Sequence, residues 1–114
     1  MKPKLIVLGY TRSNRQTGYS SLDDGYREDA KQTVITFFID INGEEHLLTP
    51  EDIADAVFMG SNSPYEIDHR QIAGKVQIML DDYEMRSLSV GDTVTYDGVK
   101  VAIEKKGFRR VRPT

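Results

Sequence analysis

Between Val90 and Ile103 the apolar residues recur at every second position on both sides of Asp97-Gly98, and no other stretch constrains the fold as tightly. A period of two is that of a strand with one face buried, and Asp-Gly supplies the two positive φ angles of a type I′ turn. The pattern predicts a β-hairpin. Glu104 to Arg112 then reads as a second turn at Gly107 and a short third strand, so the chain closes in a three-stranded meander. From residue 105 onward it carries Lys105, Lys106, Arg109, Arg110 and Arg112 and no acid.

The remaining segments predict a small α+β domain. Lys4–Thr11 is a continuous apolar run of strand length, bounded by Pro3 and by polar residues, as expected of a central strand. Residues 12–32 are polar and turn-rich, fit neither period, and read as a mobile loop. Thr33–Ile41 is rich in β-branched and aromatic residues and runs into Asn42-Gly43, a strong hairpin signal, with Glu44–Leu48 returning. Thr49-Pro50-Glu51-Asp52 then has the composition of a helix start, with Thr49 as N-cap and Pro50 in the first turn. That helix would bury Ile53, Val57 and Phe58 and stop at Gly60. Ile72, Val76, Met79, Leu80 and Tyr83 recur at helical spacing and predict a second helix, capped by Asp68 and ending near 82–84. The expectation is one domain over residues 1–114. Its sheet is mainly antiparallel, made of an N-terminal strand, an Asn-Gly hairpin and the C-terminal meander, with two short helices between the β blocks.

Charge is distributed unevenly. The chain has 15 Lys and Arg against 18 Asp and Glu, and with five of the bases after Glu104 the rest of the molecule is strongly acidic. Such a body disfavours sequence-independent binding to duplex DNA, where each neutralised phosphate takes a cation, while leaving local basic surfaces free to meet one anionic partner. The absence of cysteine excludes disulfides, thiolate metal sites and thiol nucleophiles and suits a reducing compartment. No apolar run approaches bilayer length and no secretory pattern follows Met1, so a cytoplasmic protein without a membrane role is expected.

The residues used in catalysis do not converge. His46 beside Glu44 and Glu45, and His69 beside Glu66 and Asp68, each offer too few ligands for a zinc site, which takes three or four. A small metal-dependent hydrolase using either histidine is therefore a distant alternative. Glu51, Asp52 and Asp55 belong to a helix start, and no Gly-rich phosphate loop or nucleophile elbow is present. The expectation is a non-enzyme with no cofactor and no metal.

Two surfaces are better placed to bind. In the long loop Tyr10, Tyr19 and Tyr26 interleave with Arg12, Arg15 and Arg27, the pairing enriched at protein hot spots and at stacking platforms for single-stranded nucleic acid. In the tail, Lys105, Lys106, Arg109, Arg110 and Arg112 surround Phe108 as a cationic rim around an apolar anchor; the same charge also protects a sheet edge from aggregation.

The run Arg86-Ser87-Leu88-Ser89-Val90-Gly91-Asp92-Thr93-Val94-Thr95-Tyr96-Asp97-Gly98, with Gly107-Phe108 downstream, resembles the C-terminal signature of a family of small proteins carried by phages, plasmids and other mobile elements. Thr49-Pro50-Glu51-Asp52-Ile53-Ala54 is similar in type to a segment upstream in such proteins. The resemblance covers about a quarter of the chain and brings no functional residues with it, and the basic excess after Glu104 departs from the pattern. It carries no function over and implies a context, an accessory gene of a mobile element of the kind often expressed to redirect or block a host system; the expectation is a non-enzymatic binding protein that contacts a host or element-encoded protein, as an inhibitor of a defence or regulatory component. Binding of single-stranded nucleic acid through the loop and tail is the alternative.

Overall fold

The computed structural model describes residues 4–39, 49–62 and 86–111. Among these residues five strands form one antiparallel sheet: β1 (Lys4–Thr11), β2 (Gln32–Ile39), β3 (Thr93–Tyr96), β4 (Val99–Ile103) and β5 (Phe108–Arg110), in the order β2-β1-β3-β4-β5. Among the described residues the helices are a single turn, α1 (Ser21–Asp24), and α2 (Pro50–Asn62). This is the α+β, antiparallel class that the strand and turn signals predict. The Asn42-Gly43 hairpin and the helix over 68–84 lie outside the described residues.

The meander forms because its turns match their residues. Asp97 and Gly98 have φ of 54° and 76°, the positive pair of a type I′ turn, and β3 and β4 pair from Tyr96 with Val99 to Thr93 with Ala102. β1 lies inside the sheet because the early apolar run can pair on both edges, with β2 from Lys4–Ile39 to Thr11–Gln32 and with β3 from Ile6–Tyr96 to Gly9–Thr93.

Alternation then separates two faces. One carries Ile6, Leu8, Tyr10, Val94, Tyr96, Val101 and Ile103, all buried, and receives Ile53, Ala54, Ala56 and Val57 of α2. Thr49 and Asp52 cap this helix reciprocally: the Asp52 amide donates to Thr49 Oγ1 at 3.1 Å, and the Thr49 amide donates to Asp52 Oδ2 at 3.2 Å. The helix does not stop at Gly60, as its sequence suggests, but runs to Asn62. Tertiary contacts override the local signal. The Ser61 hydroxyl and Asn62 amide donate back to the Phe58 carbonyl, Asn62 also reaches the Leu88 carbonyl, and Ser87 Oγ donates to the Ser61 carbonyl at 2.6 Å.

The second face is covered in part. The segment after β1 meets it at Ser21 against Gly91 and at Tyr26 beside Lys100, Gln32 donates to Thr93 Oγ1, and Thr93 and Ala102 on that side are buried. The segment has structure that its composition does not disclose: Asn14 and Tyr19 exchange backbone hydrogen bonds of 2.9 and 3.0 Å, and α1 follows at once. Gly91 seats α1. Its φ is 94°, and a Cβ there would lie 2.8 Å from Ser21 Cβ, so glycine is demanded twice. Beyond the reach of this segment the face stays open, leaving Leu5, Val34 and Phe38 exposed on β1 and β2.

Candidate functional site

The tyrosines of the loop are structural. Tyr10 is the last residue of β1 on the core-facing side; it is 4% exposed, and its hydroxyl donates to the Arg86 carbonyl at 2.9 Å. Burial, reinforced by the Asp92 carboxylate and opposed by the Arg86 guanidinium, pushes its pKa up to about 12. Tyr19 is 5% exposed and donates to the Gly25 carbonyl, and burial likewise raises its pKa. Tyr26 is half-buried beneath the Lys100 ammonium, 5.8 Å from its ring centroid. No open stacking platform is built from the three rings.

The arginines between them face solvent instead. The Arg27 guanidinium lies over the Tyr19 ring at 5.0 Å and pairs with Asp29 at 2.8 Å. Arg12 donates from Nε and Nη2 to Thr33 Oγ1 at 3.0 and 2.8 Å, while its backbone amide bonds the Lys31 carbonyl and closes the base of the loop. Arg12, Arg15 and Arg27 thus line one cleft of about 340 Å3, joined by Lys31, with Tyr19 and Asp29 in its wall. Sequence reasoning found three of these cations; Lys31 was missed because it follows the loop's last turn and shows no pattern with the others.

The tail is arranged differently. Phe108 is not an exposed anchor. It sits on the helix-facing side of β5, half-buried, against the core and edge-on to Phe58 with ring centroids 6.1 Å apart. Alternation explains this: Phe108 pairs with Ile103, whose side is the core side. Arg110 shares that side and forks onto Glu51 of α2, with Nε–Oε2 of 2.6 Å and Nη2–Oε1 of 2.8 Å. The hydrogen bond from Arg110 lowers the Glu51 pKa and raises that of Arg110. Arg109 points to the other face and pairs with Glu104. Lys105 and Lys106 are exposed in the β4–β5 turn with no ion pair among the described residues. Arg112, His46 and His69 lie outside the described residues.

The two surfaces approach each other without merging. Tyr26 and Glu28 of the loop share an open groove with Arg109, Arg110 and Val111, but the cationic cleft is built from loop residues and Lys31 alone. Among the described residues no helix is long and apolar enough to cross a membrane. Compared with known proteins, the chain has no significant match to a family model, a curated protein or a solved structure.

Proposed function

We propose that this chain is a small non-enzymatic binding protein of a phage or related mobile element, acting in the host cytoplasm by contact with a host or element-encoded protein and inhibiting it. The observation that carries the reading is the loop cleft, lined by four cations and one acid in a protein of formal net charge −3. A concentrated positive site on an acidic body steers an anionic partner and suppresses others. The withdrawal of Tyr10 and Tyr19 into the fold favours protein contact over single-stranded nucleic acid, which needs exposed rings for its bases to stack on. The test is capture from host lysate by the full chain and by an Arg15→Ser/Lys31→Ser variant. A protein retained by the first and lost by the second supports the reading. Retention that is instead abolished by nuclease treatment overturns it in favour of nucleic acid.

A further inference from the structure

The loop cleft holds more positive charge than a carboxylate can balance. Arg12, Arg15, Arg27 and Lys31 against Asp29 give the lining a formal charge of +3. Asp29 is already committed to Arg27. Arg12 is held in place by Thr33 Oγ1, a neutral acceptor that fixes the guanidinium without cancelling its charge. Arg15 and Lys31 form no ion pair among the described residues.

The frame around these cations is fixed before any ligand arrives. The Arg12 amide bonds the Lys31 carbonyl at 2.8 Å, Asn14 and Tyr19 exchange two backbone hydrogen bonds, and the Tyr19 ring backs the Arg27 guanidinium. Preorganised donors lose less entropy when they bind. A volume of about 340 Å3 lies at the small end of ligand sites, large enough for one compact anionic head group with a few attached atoms.

We propose that the cleft is a phosphomonoester site. A phosphoryl group carries about −1.5 to −2 charge at neutral pH and three strong acceptor oxygens, which suits a cleft lined by a fixed guanidinium, a second guanidinium and an ammonium. A carboxylate brings half that charge. Internal nucleic-acid phosphates bring one charge each, with bases on both sides that the cleft has no open ring to receive. The proposal rests on the reading of this cleft as the contact site for an anionic partner and specifies the group it takes. That group comes either from a phosphorylated side chain of a partner protein or from a free phosphorylated metabolite.

Isothermal titration of the full chain with inorganic phosphate, a phosphoserine peptide and the same peptide carrying glutamate tests this. Saturable binding of phosphate and phosphopeptide is expected, at least about tenfold tighter than the glutamate peptide and weakened at least about tenfold in Arg15→Ser/Lys31→Ser. Both replaced side chains are exposed, and far-UV circular dichroism checks that the fold is kept. A phosphopeptide that binds more tightly than inorganic phosphate identifies a modified protein as the source; equal affinity identifies a free phosphomonoester. Glutamate and phosphoserine peptides binding equally would overturn the phosphomonoester site while leaving the anion-binding cleft standing. Binding of no anion, or binding unchanged in the variant, overturns both.

Discussion

Arg86 and Asp92 are joined by two hydrogen bonds, Nη1 to Oδ2 at 2.8 Å and Nη2 to Oδ1 at 3.2 Å, and Asp92 is fully buried. The same carboxylate accepts the backbone amides of Thr11 and Ser89, both at 2.9 Å, while the Arg86 guanidinium lies 4.7 Å from the Tyr10 ring centroid. Asp92 therefore ties the end of β1 to the entry of β3. The Arg86–Asp92 segment is a fastener: Leu88 fills the core, Gly91 admits α1, and the charged pair closes the turn.

Removing Asp92 strands several partners at once. Asp92→Ala leaves two backbone amides and one guanidinium without their acceptor, and its cost should be about 3 kcal/mol or more. Urea denaturation measures it. A loss below about 1 kcal/mol would show that water replaces the carboxylate and that the fastener is not needed.

The glycines separate conformation from contact. Gly91→Ala and Gly98→Ala both force a side chain to positive φ, which costs about 1 kcal/mol. Nothing lies within 4 Å of a Cβ at Gly98, whereas one at Gly91 meets Ser21. Gly91→Ala should therefore be clearly the more destabilising, and equal midpoints would mean that α1 does not rest on the β3 entry.

Much of this was legible in the sequence, and the exceptions have a common cause. Where a local rule acts alone it succeeds: Asp97-Gly98 makes its turn, Lys4–Thr11 its strand, Thr49 and Asp52 their cap. Where distant groups compete it fails. Gly60 signals a helix end, but Ser87 and Leu88 extend the helix past it by accepting and donating at Ser61 and Asn62. The polar loop shows no period because its order comes from Ser21 against Gly91 and from single rings under single cations, contacts without a repeat. The grouping of Arg12, Arg15 and Arg27 could be guessed from their proximity in sequence. The burial of the tyrosines between them could not.

Alkaline pH should destabilise the fold through Tyr10. An unfolded tyrosine ionises near 10, whereas the folded value is about 12, mainly because burial disfavours the phenolate. The folded state thus keeps its proton where the unfolded state loses it. The corresponding stability is complete below pH 10 and is lost as pH rises toward 12. Tyr10→Phe should flatten this decline while costing about 1 kcal/mol at neutral pH for the lost bond to the Arg86 carbonyl. Melting temperatures of both proteins from pH 8 to 12 decide it; parallel declines would place the alkaline sensitivity elsewhere.

Amide exchange tests the order of residues 12–31. The amides of Arg12, Asn14, Tyr19 and Gly25 have backbone acceptors in the structure, so they should exchange more slowly than those of Arg15 and Thr17 at the exposed turn. Uniformly fast exchange would return the whole segment to a tether and remove the preorganised cleft.

Phe108 decides between the two roles of the C-terminal strand. As an interface anchor it would contribute to partner affinity with little effect on folding; packed on Phe58 it contributes to the core. Phe108→Ala should then cost about 2 kcal/mol of stability, less than full burial would give because the ring is only half-covered. Lys105→Ser/Lys106→Ser should leave the melting temperature nearly unchanged, since neither side chain has an ion-pair partner among the described residues. Thermal melts and capture of the lysate partner are run on the same proteins. If Phe108→Ala is destabilised and the lysine variant captures as wild type does, the basic strand guards a sheet edge and binding belongs to the loop cleft. If Phe108→Ala keeps its stability and loses the partner, the ring turns outward on binding and the tail becomes the contact surface.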